Sequence, residues 1–245
     1  PGEQKAGAFQ ETPANRIEYD YSYDGVMRSY EQSLARLKLD RIDILYIHDV
    51  DVFTHGSQAA SDQRVDEVMN GGYRALCELR DNGDIDAIGV GVNEWQVCEK
   101  LLALGDFDLF LLAGRYTLLE QESLQSFLPK CLKRGSGIIL GGPYNSGILA
   151  TGATENAMYN YAPASLDIKQ QVNAIEAVCR EYSVSLPQAA LHFPLGHPSV
   201  ISVIPGGQLA SEVIRNVETF AKPVPSEFWQ ALKSQGLIDQ DAPLP

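Results

Sequence analysis

The 245-residue chain is poor in the residues that several specialised protein classes depend on. Its four cysteines, Cys77, Cys98, Cys131 and Cys179, are too widely and irregularly spaced for a paired ligand motif or a disulfide framework. They read as reduced core thiols of a cytoplasmic protein. The four histidines offer no metal spacing, because His55, His192 and His197 lack the i, i+4 partner that a helical zinc site needs. Positive charge is also scarce: 19 Lys and Arg stand against 32 Asp and Glu, a net charge of -13 and a pI near 4.7. Such a surface repels phosphate backbones and anionic headgroups, which disfavours nucleic-acid and membrane partners and favours a neutral small-molecule substrate. No apolar run is long enough to cross a bilayer, and no secretory segment is visible.

What remains is ordinary globular composition, 44% hydrophobic and 21% charged, at a length suited to one large core. A single domain over 1–245 is therefore the expectation. Pro1 to Asn15 is polar and aperiodic and reads as a loop entered from something upstream.

Beyond that loop, strand and helix patterns alternate. Val26, Tyr30, Leu34 and Leu37 recur at helical spacing over Asp24 to Lys38, with Ser22 or Asp24 available as a cap. Helices are also expected over Val65–Leu79, Gln96–Leu104, Glu122–Arg134, Leu166–Tyr182, Leu186–Phe193, Leu209–Phe220 and Glu227–Gln235. Between them lie five short β-branched and aliphatic runs suited to strands buried on both faces: Ile42–Ile47, Ala87–Val92, Leu109–Leu112, Gly137–Leu140 and Val200–Ile204. Such alternation predicts a parallel sheet, either doubly wound or closed into a barrel. A closed barrel needs eight strands, so either the sheet is open or about three strand-helix units lie upstream of Pro1. The loop-like start favours the second alternative. The polar stretch Thr151–Pro163 reads as a functional loop at a barrel end.

The residues that could carry chemistry follow the strands, on one face of the sheet. His48, with Asp49 and Asp51 close behind, ends the first strand. Asn93 and Trp95 follow the second, Arg115 and Tyr116 the third, Gly141-Gly142-Pro143-Tyr144-Asn145-Ser146-Gly147 the fourth, and Pro205-Gly206-Gly207-Gln208 the last. A titratable group at the carboxyl end of a buried parallel strand is where barrel enzymes keep their chemistry, although a histidine there also serves simply as a hydrogen-bonded strand terminus. The glycine-rich loop either lets backbone approach a ligand or is a tight turn. Trp95 and Tyr116 read first as packing residues. Gly89-Val90-Gly91 fails the dinucleotide fingerprint, because Glu94 occupies the third glycine position.

Several of these segments together resemble the aldo-keto reductase family. They are Ser33 to His48, Ile88-Gly89-Val90 through Asn93, Gly114 to Leu119, Gly142 to Leu149, and Ser202 to Gly207 with Asn216. The resemblance runs from about Tyr19 to Phe220 and, within the family, is closest to its sugar dehydrogenases. It implies a (β/α)8 barrel, of which this chain shows about the last five strand-helix units, and NAD(P)-dependent oxidation of an aldose at its anomeric carbon to a lactone. Pyridoxal or aldehyde oxidation, or a catalytically silent nucleotide-binding regulatory subunit, are the alternatives it leaves. The family's catalytic set is Asp, Tyr, Lys and His, and only His48 maps here. The other three are expected before Pro1, so the chain by itself is expected to be inactive.

The same resemblance assigns cofactor contacts to Asn93, Gly141, Gly142, Pro143, Tyr144, Asn145, Gly147, Ile204, Pro205, Gly206, Gly207, Gln208, Glu212 and Asn216, and weaker substrate contacts to Asp49 and Trp95. No metal is implied. Asn93 stands one residue out of register with the family's carboxamide-binding asparagine, and Gly141 stands where the family stacks an aromatic ring on nicotinamide. NADPH-preferring members carry a lysine, a serine and an arginine where this chain has Gly206, Gly207 and Glu212. Near Glu212, a 2′-phosphate would meet repulsion of roughly 1 to 4 kcal/mol at about 4 Å, a bias of about tenfold to several-hundredfold. NAD is therefore expected over NADP, with Glu212 accepting from a ribose hydroxyl. A homo-oligomer is left open.

Overall fold

The computed structural model describes residues 18–245, so the expected loop at Pro1 to Asn15 lies outside the described residues. Among the described residues there are seven strands: β1 (Ile44–His48), β2 (Ala87–Val92), β3 (Leu109–Ala113), β4 (Gly137–Gly141), β5 (Met158–Tyr159), β6 (Ala162–Pro163) and β7 (Val200–Ile204). Five of them form one parallel sheet in the order β1-β2-β3-β4-β7, while β5 and β6 make a separate antiparallel hairpin. All five expected strands are present, each beside its neighbour in sequence, which is how consecutive strands of a (β/α)8 barrel are arranged. Because the strands are parallel, the segments that follow them emerge on one face.

The helices are α1 (Tyr23–Leu37), α2 (Val52–His55), α3 (Gln58–Glu67), α4 (Tyr73–Asp81), α5 (Trp95–Leu104), α6 (Phe127–Arg134), α7 (Ile148–Thr151), α8 (Leu166–Glu181), α9 (Leu186–His192), α10 (Ala210–Phe220) and α11 (Ser226–Ser234). Ser22 caps α1 by accepting from the Gly25 amide, as its sequence position suggests. The central strands β2, β3 and β4 are mostly buried, and Phe107, Phe110 and Phe127 pack edge to face or tilted behind them. Phe228, Trp229 and Leu232 of α11 are buried, closing the core at one end.

Two expectations are corrected and a third is refined. The helix expected over Val65–Leu79 is two helices, α3 and α4, joined by one π turn at Val68–Gly72. Its cause is a tertiary contact: the Gly72 amide donates to the Tyr21 carbonyl at 2.9 Å, and a Cβ on Gly72 would lie 2.6 Å from that oxygen. The helix expected over Glu122–Arg134 begins as a separate 3-10 turn at Glu122–Gln125 before α6. The Thr151–Pro163 loop is not wholly irregular, since it holds the β5–β6 hairpin.

Burial falls away at the two sheet edges. Ile201 and Ile204 of β7, Val213, Ile214, Val217 and Phe220 of α10, and Leu37 at the end of α1 with Leu39 just after it are exposed, and α10 has no fully buried residue. No described helix is long and apolar enough to cross a membrane.

Candidate active site

His48 ends β1 with its imidazole lying over Gly91 of the neighbouring strand. A Cβ at Gly91 would sit 2.7 Å from the ring's Cδ2, just as one at Gly89 would meet the Tyr46 ring. Glycine in these two positions of β2 thus makes room for two rings that point from one face of β1. Nδ1 of His48 stands 2.9 Å from Oδ1 of Asp49, and this hydrogen bond raises the imidazole pKa above its ordinary value, outweighing burial, which works the other way. With Asp49 accepting at Nδ1, a neutral His48 presents Nε2 as an acceptor, and a protonated one presents it as a donor.

The turn that carries this pair is held by its main chain. Asp49 adopts a φ of 58°, rare for a residue other than glycine. Its amide donates to Gly91 O at 2.9 Å, and its carbonyl accepts from Tyr21 Oη at 2.9 Å and meets His55 Nε2 at 2.9 Å. The single Tyr21 Oη proton is shared with His48 O at 2.8 Å, and burial raises this phenol's pKa. Asp51, fully buried, accepts from the Thr54 amide at 3.0 Å, starting α2, and from the Asn93 amide at 2.7 Å, locking the end of β1 to the end of β2.

Toward the middle of the sheet, Arg115 donates through Nε to Asn93 O at 2.7 Å and through Nη1 to Glu120 at 3.0 Å. The same Glu120 oxygen accepts from Tyr159 Oη and from Asn160 Nδ2 at 3.1 Å, so the hairpin is anchored to the loop after β3. Trp95 lies here with Glu94, Arg115, Glu120 and Glu122 around a cavity of about 200 Å³.

A larger groove, about 720 Å³, runs between the loops after β4 and β7. Gly142, Pro143, Tyr144, Asn145 and Gly147 line one side, and Gly206, Gly207, Gln208, Glu212, Arg215 and Asn216 the other. Gly142, Asn145, Ser146 and Gly147 all take positive φ, so the loop turns sharply and leaves the groove open. Tyr144 Oη donates to Asn216 Oδ1 at 2.8 Å and ties the two loops together, and burial pushes the phenol's pKa up to about 12. Asn145 is 3% exposed; its Nδ2 donates to Gly114 O at 3.1 Å, while its Oδ1 is buried with no partner.

Glu212 lines this groove and also caps a helix. One oxygen accepts from the Gln208 amide at 2.7 Å and the Leu209 amide at 3.2 Å, which caps α10 and lowers the carboxyl's pKa. Its other oxygen accepts no hydrogen bond from the described residues.

Ten of the fourteen expected cofactor residues share the large groove: Gly142, Pro143, Tyr144, Asn145, Gly147, Gly206, Gly207, Gln208, Glu212 and Asn216. Pro205 lines an adjoining cavity against α10, while Asn93, Gly141 and Ile204 line neither. Tyr116 is fully buried against Phe193 and His197, the packing role first read for it. Sequence reasoning missed Tyr21 and His55, which pin the His48 turn, and Arg215, one helical turn beyond Glu212 on α10. No group of three or more His, Cys, Asp or Glu among the described residues is arranged to hold a metal.

A sequence profile described as the aldo/keto reductase family matches residues 9–236. Pyridoxal 4-dehydrogenase of Microbacterium luteolum is 43% identical over 220 residues, which are 90% of this chain and 64% of that protein. D-threo-aldose 1-dehydrogenase of a Pseudomonas species is 34% identical over 224 residues, 91% of this chain and 65% of that protein. The chain therefore spans less than two thirds of the length of these curated relatives. The holo form of an aldo-keto reductase from Bacillus halodurans shares the fold, with a TM-score of 0.68 at 22% identity over 93% of this chain and 70% of that one. On the profile match and these two relatives, the chain belongs to the aldo/keto reductase family.

Proposed function

We propose that the full-length protein oxidises a cyclic hemiacetal to a lactone with a nicotinamide nucleotide as hydride acceptor. The observation that carries this reading is His48. Its imidazole stands on the open face of the sheet, oriented by Asp49 through Nδ1, with Nε2 available to a substrate oxygen. Aldopyranoses and pyridoxal both exist as rings in which one carbon bears a hydroxyl, a ring oxygen and a hydrogen. Loss of hydride from that carbon and of the proton from its hydroxyl gives the lactone in either case. The 43% identity to pyridoxal 4-dehydrogenase puts pyridoxal first, and the 34% identity to D-threo-aldose 1-dehydrogenase keeps an aldopyranose as the second reading.

Aldo-keto reductases use NAD(P), and the residues of the large groove fit such a nucleotide. The groove, about 720 Å³, lies between two loops, and Asn145 in its lining holds a buried side-chain oxygen without a donor. When bound, the nicotinamide supplies the hydride acceptor. The chain's own part is to bind and orient. Neutral His48 accepts the substrate hydroxyl's hydrogen bond at Nε2, Asp49 fixes the tautomer, and Tyr21 and His55 hold the turn beneath them.

NAD is preferred over NADP in this reading. Glu212 already occupies the amides of Gln208 and Leu209 just before α10, which leaves two fewer donors for a 2′-phosphate, and the reading gives its other oxygen a ribose hydroxyl to accept from. Arg215 brings one cation to the groove, so the local charge is balanced rather than positive. The test is turnover of pyridoxal, L-fucose and L-galactose by the full-length protein with each nucleotide. The expected result is lactone formation from at least one ring substrate, with kcat/KM for NAD about tenfold or more above that for NADP. A clear NADP preference would remove the cofactor reading, and no turnover of any ring substrate would remove the whole.

A further inference from the structure

The tip of the β5–β6 hairpin is built against the usual rules. Tyr159 pairs with Ala162, which leaves Asn160 and Tyr161 as a two-residue turn, and both have positive φ, 47° and 63°. Such turns take asparagine first and glycine second. Here a tyrosine holds the glycine position, where its Cβ strains the backbone. Its ring does not repay that strain by burial, because Tyr161 is 68% exposed.

The ring is instead carried across the mouth of the site. The Tyr161 amide donates to Ser146 Oγ at 3.0 Å in the loop after β4, and its hydroxyl stands 3.4 Å from Asn93 Oδ1 at the end of β2. Its ring meets Phe53, five residues after His48, with centroids 5.7 Å apart and planes tilted by 39°. Phe53 is itself 56% exposed on the four-residue helix that Asp51 caps. Two exposed aromatic rings from distant segments thus meet on the face that presents His48. The hairpin beneath them is held through Tyr159 and Asn160 to Glu120. Strain retained at an exposed position that reaches the ends of β2 and β4 and the helix after His48 points to function.

We propose that Tyr161, seconded by Phe53, is a specificity-determining residue that lies against the flat face of the substrate's six-membered ring. The inference rests on the oxidoreductase reading above and adds to it the class of substrate selected: ring-faced hemiacetals over open-chain carbonyl compounds. An aromatic pyridine ring and the C–H face of a pyranose both offer such a surface.

The test uses the full-length protein and its Tyr161→Gly, Tyr161→Asn and Tyr161→Phe variants. kcat/KM is measured for pyridoxal and L-fucose oxidation and for propanal reduction, together with the KM for NAD and the melting temperature. Tyr161→Gly and Tyr161→Asn relieve the turn, so their melting temperatures should equal or exceed the wild type's. Their ring-to-propanal ratio should fall at least tenfold through KM, with the KM for NAD within twofold. Tyr161→Phe should keep the ratio. A fall seen with pyridoxal alone assigns the platform to an aromatic ring, and one seen with L-fucose alone to a pyranose. An unchanged ratio in a wild-type-like enzyme overturns the proposal by itself. Absence of nucleotide-linked turnover in the wild type overturns the underlying reading, and the proposal with it.

Discussion

The two ends of the site solve the same problem, holding a small set of atoms in place, by opposite means. At the β1 end a single ring matters, and hydrogen bonds to main-chain carbonyls from Tyr21 and His55 fix the turn from which it projects. Every pin there lies within a few dozen residues of His48. At the groove, the shape is made by backbone turns at Gly142, Asn145, Ser146 and Gly147, and the decisive tie joins Tyr144 to Asn216, 72 residues apart. In the proposed function the first end orients one reacting atom, and the second accommodates an extended ligand. Damage at the first should appear in kcat, and damage at the second in the KM of the nucleotide.

The sharpest way to break this contrast is Gly91→Ala. Its methyl would stand 2.7 Å from Cδ2 and 3.1 Å from Nε2 of His48, so the ring must move while the main chain need not. The His48 side chain is 60% exposed, and its displacement should change stability by less than about 1 kcal/mol. A misplacement of about 1 Å costs on the order of a hundredfold in rate. We expect kcat for the ring substrate to drop by about that factor with little change in melting temperature. A kcat near the wild type's would show that the position of His48 does not limit the reaction.

A smaller effect is expected at the other end. Tyr144→Phe and Asn216→Ala each remove the bond between the two loops, a net loss of about 0.5–1.5 kcal/mol. That corresponds to an increase of roughly two- to twelvefold in the KM for NAD, with kcat close to the wild type's. A fall in kcat at constant KM would instead place Tyr144 with His48 in the chemistry, and the division between the two ends would fail.

The contrast also explains what the sequence made visible. Each of the five parallel strands is a compact apolar run bounded by turn residues, and a polar His48 at the end of one is conspicuous because strand interiors exclude it. The π turn at Val68–Gly72 was invisible because the helical period runs on through Gly71 and Gly72, and only the Tyr21 carbonyl, far off in sequence, draws the Gly72 amide out of the helix. The strands β5 and β6, two residues each, are too short to show an alternation. Tyr21 and His55 could not be read as pins, since their partners are carbonyls, which every residue carries. Glu212 was legible as an acid in a telling place. That it also caps its own helix was signalled by its position three residues after Leu209, a spacing that belongs to helix starts.

The smallest expected effect probes the charge on the His48 end alone. The hydrogen bond to Asp49 raises the His48 pKa, and the charges of Asp49 and Asp51 add to this against burial. For oxidation, Nε2 must be free to accept from the substrate hydroxyl, so activity should fall as pH drops through the folded-state pKa, which lies above the ordinary value of about 6.5. Asp49→Asn keeps a hydrogen-bonding side chain but removes the charge. It should move this acid limb to lower pH, so the variant keeps a larger share of its maximal rate near neutrality. The stability linkage has the opposite sense. A raised folded-state pKa stabilises the fold fully below the unfolded pKa, and that contribution disappears as pH rises through the folded value. Because the ring is largely exposed, this stability component should be small beside the shift of the rate profile. NMR titration of the His48 ring in wild type and variant reads the pKa directly. An unchanged His48 pKa in Asp49→Asn, or an acid limb that stays where it was, would remove Asp49 from the orientation and charge control of the site and leave its strained backbone as its sole contribution.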